Sequence, residues 1–325
     1  MQTNTITIVG MGRTGTSIAM ALKEGSIKFT LIGHDSKSDV LRAAPVAQSV
    51  DRLEADLIQA CTPADIIVLA MPAVELEATL SLIGDRLQEH TLVIDLTALK
   101  EPGIKFAAKY LQDGHYIGAR PVFAAGTFDT LKEDLYAARA DLFRNSVFCV
   151  MPSADTDPQA VDTAVRFGQL LGAKPYFVDP LEYDQLSLGA ETMPAVGAAA
   201  LFQAITGTTG WRDILRFADL PFAVGTLPMD TDTEELAYHL LYNREATLYW
   251  LDGLAGKLSE MRRMLAQGEQ EVLAAYLDEL NLARERWLKA RSANEWDEAQ
   301  MEEYDLPSLS QHFLGGLVGR QNKDS

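Results

Sequence analysis

Along the first half of the chain, short runs rich in β-branched residues alternate with stretches whose apolar positions recur every three or four residues. "TITIVG", "KFTLIGHD", "DIIVLAMP", "TLVIDLT" and "YIGARPV" read as buried strands. "TGTSIAMALKEG", "VLRAAPVAQSVDRLEADLIQAC", "ELEATLSLIGDRLQ" and "GIKFAAKYLQDG" read as the helices between them. A helix in each connection predicts parallel strands, and right-handed crossovers wind them into a doubly wound sheet. "SVFCVMP" and "KPYFVDP", separated by the helical "PQAVDTAVRFGQLLGA", extend the strands to Pro180. Beyond it the period is helical, with long helices expected over 233–267 and 269–296. Leu251, Leu254, Leu258, Met261 and Leu265 make an apolar stripe on the first, and Tyr276, Leu280, Ala283 and Trp287 repeat it on the second. The pair either closes as a hairpin over its own core or is buried against a second subunit. The tail "GGLVGRQNKDS" reads as frayed.

A chain of 325 residues, 47% hydrophobic and 23% charged, has the length for two packed domains. The period changes near Pro180, so the expected division is 1–180 and 181–325. A net charge of -18 argues against nucleic acid or an anionic membrane as partner. No signal segment and no run of about 18 apolar residues is evident, so the expected location is the cytoplasm. Cys61 and Cys149 have neither CxxC spacing nor a nearby His pair; they predict buried apolar thiols, and no metal site.

Chemistry first enters at "ITIVGMGRTGTSIAMAL". Gly10, Gly12 and Gly15 have the GxGxxG spacing directly after a strand and at the start of a helix, with Met11, Arg13 and Thr14 in the same loop. The first glycine permits the turn, the second a close approach of backbone to a pyrophosphate, and the third tight helix–strand packing. Asp35 follows at the end of the second strand, where a carboxylate binds the ribose hydroxyls and repels a 2′-phosphate. NAD is therefore expected as cofactor, while the neighbouring Lys37 leaves NADP open. Met71 and Pro72 end "LAMP" at the cofactor edge of the sheet, where either a cofactor contact or a plain strand end fits.

The chain resembles the prephenate/arogenate dehydrogenase family of tyrosine and aromatic amino acid biosynthesis, within the 6-phosphogluconate dehydrogenase-like superfamily. The resemblance runs from "VGMGRTGTSIAMAL" through "ADIIVLAMP", "LVIDLTALK", "YIGARPV", "LGAKPYFVDPLEYDQ", "ETMPAVGAAAL" and "GWRDILRFA" to "NREATLYWLDGLAGKLSEMRRML" and "ARERW". It implies an N-terminal Rossmann-type NAD-binding domain followed by a C-terminal α-helical substrate and dimerisation domain, hence a homodimer. No regulatory domain of the kind some relatives carry is expected after Trp287. The implied reaction takes hydride from the ring carbinol of prephenate to NAD as carbon dioxide leaves.

Three positions depart from the family pattern. The histidine of G-x-H-P-M is replaced by Arg120 in "GARPV", the serine of D-V-G-S-V-K by Ala98 in "DLTALK", and S-H-L-P-H reads "ETMPA". Arginine stays protonated, so Arg120 cannot be the base the histidine supplies; it can hold a carboxylate or an oxyanion. A small carboxylate-bearing substrate is expected on Arg120, Thr192 and Arg216, the last matching the family's F-R-D-T-T-R-I-A. Alternatively, Arg120 pairs with an acid in the cleft. Lys100 is ranked first as proton acceptor, with Thr97, Glu191 and Thr192 as other candidates. Tyr183-Asp184 stands where relatives have His-Asp, Asp184 either capping a helix or touching the cofactor. His34 is expected beside the adenosine pocket and His115 remote from Arg120; His90, His239 and His312 read as helix surface or loop. A non-catalytic NAD-binding sensor or inactive partner is the rival reading.

Overall fold

The computed structural model of the chain describes residues 5–128, 135–268 and 270–293. The tail, residues 294–296 of the last expected helix and His312 lie outside the described residues. The strands are β1 Thr5–Val9, β2 Thr30–His34, β3 Arg52–Leu53, β4 Ile66–Leu69, β5 Leu92–Asp95, β6 His115–Pro121, β7 Val147–Met151 and β8 Lys174–Phe177. They form one sheet in the order β3-β2-β1-β4-β5-β6-β7-β8. β1 to β6 are parallel, as the helical crossovers require. β7 runs antiparallel to β6, and β8 follows β7 in parallel. Among the described residues, the β6–β7 connection holds only the 3-10 turns Ala125–Thr127 and Leu135–Ala137, so no helix carries the chain back to the starting edge.

Alternate residues of each central strand enter different cores. Ile66 and Val68 join Ile6, Ile8, Ile18 and Ile94 on one face, while Ile67 and Leu69 join Val9, Leu76, Leu80 and Val93 on the other. The helix expected to run unbroken to Cys61 is instead Ser38–Arg42, Ala44–Ser49 and Leu57–Cys61, with β3 between them. Pro45 restarts the helix, and Arg52 and Leu53 pair with Ile32 and Gly33 at the sheet edge, a contact no local pattern reveals.

From Pro180 onward every described element is helical. Pro180–Thr206 is continuous, with a π turn at Leu188–Thr192. Within its 27 residues an 18-residue window reaches a mean hydropathy of 1.2, long and apolar enough to cross a membrane by length and composition, which corrects the expectation that no such window exists. Its first part packs on the sheet, with Tyr183, Asp184 and Leu188 buried. Helices Trp211–Ile214, Leu220–Thr226, Thr233–Tyr242, Arg244–Gln267 and Gln270–Ala293 follow. The helix expected over 233–267 breaks at Asn243 (φ −100°, ψ 48°), whose Nδ2 donates to the Asp184 carbonyl at 3.2 Å. The apolar stripes do not close on each other. Leu254, Leu258, Leu265, Leu280 and Trp287 are exposed, so the hairpin with its own core is not what these helices form within one chain.

Candidate functional site

The glycine loop lies where the strand order reverses, between β1 and β4, the crevice in which doubly wound sheets bind ligands. Gly10 has φ +94°, and a Cβ there would stand 2.4 Å from the Ala70 carbonyl oxygen. A Cβ on Gly15 would meet the Gly10 oxygen at 2.0 Å, so the loop and the helix Arg13–Glu24 touch backbone to backbone. A Cβ on Gly12 would meet nothing within 4 Å, and Gly12 caps that helix without a side-chain acceptor. Open space over first-turn N–H groups is what an anion needs. Asp35 faces the same loop: its Oδ2 accepts from the Met11 amide at 2.8 Å and its Oδ1 from the Lys37 amide at 2.9 Å. A turn closed to side chains, an open helix end and a fixed carboxylate fit a dinucleotide. Arg13 is buried with its guanidinium 5.0 Å from the Phe123 ring centre, and Thr14 is half-buried behind it.

After β4, Met71 packs into the Leu76–Leu80 core and Pro72 precedes the turn Ala73–Glu75. Glu235, from helix Thr233–Tyr242, accepts from the amides of Ala73 (2.8 Å) and Val74 (3.1 Å). His239, expected at a helix surface, is buried with Nε2 2.9 Å from Glu235 Oε1. Burial pushes the Glu235 carboxyl up, but His239 and the two amides outweigh it and hold it below the ordinary value.

The second cluster forms at the ends of β5 and β6. Arg120 Nη1 donates to the Leu96 carbonyl (3.0 Å), and the Leu96 amide donates to Leu69 at the end of β4 (2.9 Å). This ladder sets Arg120 beside the nucleotide crevice. Arg120 Nη2 donates to Glu191 Oε2 at 2.7 Å, and the Tyr183 hydroxyl donates to Glu191 Oε1 at 3.0 Å. Lys100 is fully buried beneath, its Nζ donating to the carbonyls of Asp95 (3.0 Å) and Thr97. Burial lowers its pKa, against the attraction of Asp95. The Asp184 carboxylate accepts from the amides of Lys100 (2.7 Å) and Glu101 (2.8 Å) and so caps helix Glu101–Tyr110 from outside it. Burial raises Asp184 to about 6. The Asp95 carboxylate takes the Thr97 amide (2.8 Å) and the Tyr116 hydroxyl (2.5 Å).

Residues 18–177 match the family described as prephenate dehydrogenase, nucleotide-binding domain. Prephenate dehydrogenase of Bacillus subtilis (strain 168) is 26% identical over 278 residues, 84% of this chain and 73% of that protein. Cyclohexadienyl dehydrogenase of Zymomonas mobilis is 22% identical, with 86% and 94% of the chains covered. The crystal structure of A. aeolicus prephenate dehydrogenase with hydroxyphenyl propionate and NAD+ superposes at a TM-score of 0.76 with 19% identity, covering 88% of this chain and 99% of that one. The nucleotide-binding half of the chain thus matches prephenate dehydrogenases, and the chain as a whole is similar to enzymes of that family. Its fold is that of the solved prephenate dehydrogenase.

The residues expected at the site divide. Gly10, Gly12 and Asp35 form the nucleotide crevice, whereas the Met11 side chain is fully buried in the core with only its amide on Asp35, Met71 packs inward, Pro72 caps the turn Ala73–Glu75 and Arg13 lies over Phe123. Arg120 and Lys100 meet at one cluster, but Lys100 is sealed below its floor and Thr97 turns its hydroxyl onto the Leu99 carbonyl (3.2 Å), so the ranking of Lys100 as proton acceptor is corrected. Thr192 is buried within the π turn. Arg216 is exposed and bonds to Asp213 (2.8 Å) and to the Arg212 carbonyl (3.4 Å) of its own turn, and none of these bonds is to the Arg120 cluster. His34 turns Nδ1 to the Glu54 carbonyl (2.9 Å), and His115 lies at the far end of β6 beside Leu92. Cys61 and Cys149 are buried, and desolvation raises their thiols to about 12 and about 11. Among the described residues no three His, Cys, Asp or Glu cluster to hold a metal. The links of Glu191 and Glu235 are long-range and left no local signal in the sequence.

Proposed function

We propose that this chain is an NAD-dependent dehydrogenase oxidising prephenate or arogenate, with loss of carbon dioxide, between the sheet edge and helix Pro180–Thr206. The observation that carries the reading is the ladder from the nucleotide crevice through Leu69 and Leu96 to a half-buried arginine. Arg120 receives a substrate carboxylate, the open end of helix Arg13–Glu24 receives the pyrophosphate, and Asp35 receives the ribose hydroxyls. Bound NAD supplies the hydride acceptor. Mixing the protein with NAD and prephenate, then arogenate, is expected to raise NADH absorbance with one of them. Silence with both, while NAD still binds, favours the rival, a catalytically inactive NAD-binding protein. The existing Arg120–Glu191 ion pair is the observation on that rival's side.

Cofactor choice is tested separately. Asp35→Ala removes the ribose acceptor and the repulsion of a 2′-phosphate, so the NAD-over-NADP ratio of kcat/KM is expected to fall by about tenfold or more. An unchanged ratio removes Asp35 from the ribose site.

The helical part supports a homodimer. Phe217, Leu220, Leu258 and Leu265 are 77%, 68%, 59% and 62% exposed, an apolar surface suited to a second copy. Leu258→Glu with Leu265→Glu is expected to convert dimer to monomer in sedimentation equilibrium. A dimer that persists places the interface elsewhere.

A further inference from the structure

The Pro180–Thr206 helix is not a regular α-helix where it passes Arg120. Residues Leu188–Thr192 form a π turn, a local widening often found at functional sites. Gly189 makes room for it: a Cβ there would stand 2.7 Å from the Trp250 ring, which is held by its Nε1 donating to the Gln185 carbonyl at 3.1 Å. The turn presents Glu191 to Arg120 and Tyr183. Both members of the ion pair stay open to the cleft, with side chains 31% exposed for Arg120 and 39% for Glu191.

The other titratable groups facing Glu191 are closed off. Lys100 and Asp184 have no exposed surface, and both are committed to main-chain partners. The Cys149 thiol is buried behind Arg120 with its pKa pushed up, and the Tyr183 hydroxyl is held well above its ordinary value by burial. Asp95, deeper still, is fully buried and occupied by the Thr97 amide and Tyr116. Arginine itself cannot accept a proton. Glu191 is therefore the carboxylate at this cluster that a substrate can reach.

We propose that Glu191 is the proton acceptor of the reaction and that, before substrate binds, it occupies the carboxylate seat on Arg120. The proposal rests on the dehydrogenase reading. An incoming substrate carboxylate takes over the Arg120 guanidinium and displaces Glu191. A carboxylate that loses its cation and gains an anionic neighbour binds a proton more readily, so displacement turns a counter-ion into a base at the moment it is needed. Glu191 then takes the hydroxyl proton of the ring carbinol as the carbinol hydrogen leaves with its electron pair to the cofactor, giving a ring ketone. Breaking the bond to the ring carboxylate releases carbon dioxide, and its electron pair makes the ring aromatic with a phenolate oxygen. Glu191 returns the proton to that oxygen, so the residue ends as it began and no proton is lost.

The test uses Glu191→Gln and Glu191→Asp in the full chain, after thermal melting and NAD titration confirm wild-type behaviour. With the substrate that wild type turns over, Glu191→Gln is expected to lower kcat by about 100-fold or more and to erase the acidic limb of the kcat–pH profile, with KM no higher. Glu191→Asp keeps the limb. Calorimetric binding of 3-(4-hydroxyphenyl)propanoate, which needs no turnover, is expected to tighten about tenfold in Glu191→Gln because the internal competitor has lost its charge. A Glu191→Gln enzyme with kcat within about threefold of wild type and an unchanged limb overturns the base assignment alone. Unchanged or weaker propanoate binding overturns the seat exchange. A wild type silent with both substrates overturns the dehydrogenase reading itself.

Discussion

Gly15→Val is expected to abolish detectable NAD binding. A Cβ at this position falls 2.0 Å from the Gly10 carbonyl oxygen, and both sides of the clash are main chain, so no rotamer relieves it. Helix Arg13–Glu24 must then move off the loop by roughly 1 Å or more, and displacements of that size typically cost on the order of 100-fold at a site. Gly10 cannot yield in return, because it already holds φ +94° against Ala70 and donates its amide to the His34 carbonyl at 2.9 Å. Fluorescence titration with NAD is the measurement. Gly12→Ala is the companion that separates binding from folding: its methyl group meets nothing within 4 Å, so melting should match wild type. That methyl group enters the space assigned to the pyrophosphate, and NAD affinity should fall by about tenfold. Wild-type affinity in both variants removes the loop from the cofactor site.

Asp184→Ala is expected to be among the most destabilising single changes in the chain. It strands the amides of Lys100 and Glu101, buried at the start of helix Glu101–Tyr110, and each unsatisfied amide costs about 1–3 kcal/mol. The same residue makes stability depend on pH with a defined sign. Its carboxyl lies at about 6 in the folded protein because burial outweighs the two amides and Lys100, against an ordinary 3.8. Below about pH 4 both folded and unfolded chains hold the proton, and Asp184 contributes no pH dependence. Between about pH 4 and 6 the unfolded chain releases it first, so rising pH lowers stability, and above 6 the loss levels off at about 3 kcal/mol. Denaturant melts of wild type and Asp184→Asn at pH 4 and pH 7 isolate this residue. The stability of wild type relative to the variant should fall by about that amount across the interval, and a constant difference shows that the amides keep Asp184 ionised.

Much of the fold was legible. The strands β1, β2, β4, β5 and β7 lie within the apolar runs that announced them, because they are mostly buried and each run is bounded by turn residues; β6 starts one residue earlier, and the edge strand β8 falls in its run although its residues are exposed. β3 was not, since two residues at an edge carry no period of their own. The split of the long helix at Asn243 was missed for a related reason: that residue is fixed by Asp184, 59 positions away. At the site, the sequence marked Arg120 as the departure from the family pattern and left an acidic partner as one alternative, and Glu191 is that acid. Lys100 was misplaced in rank because exposure, which decides whether a lysine can meet a substrate, is not written in its neighbours.

The sequence by itself determined the nucleotide loop and the parallel sheet around it, because these depend on residues close together: a strand, three glycines, a helix, and an acid at the next strand end. Only the tertiary structure decided which groups meet at Arg120, which are sealed beneath it and which apolar stripes stay uncovered within one chain. Those outcomes depend on contacts between segments 71 to 162 residues apart, such as Arg120 with Glu191 and Ala73 with Glu235. Burial and electrostatics act across space, and local periodicity has no record of them.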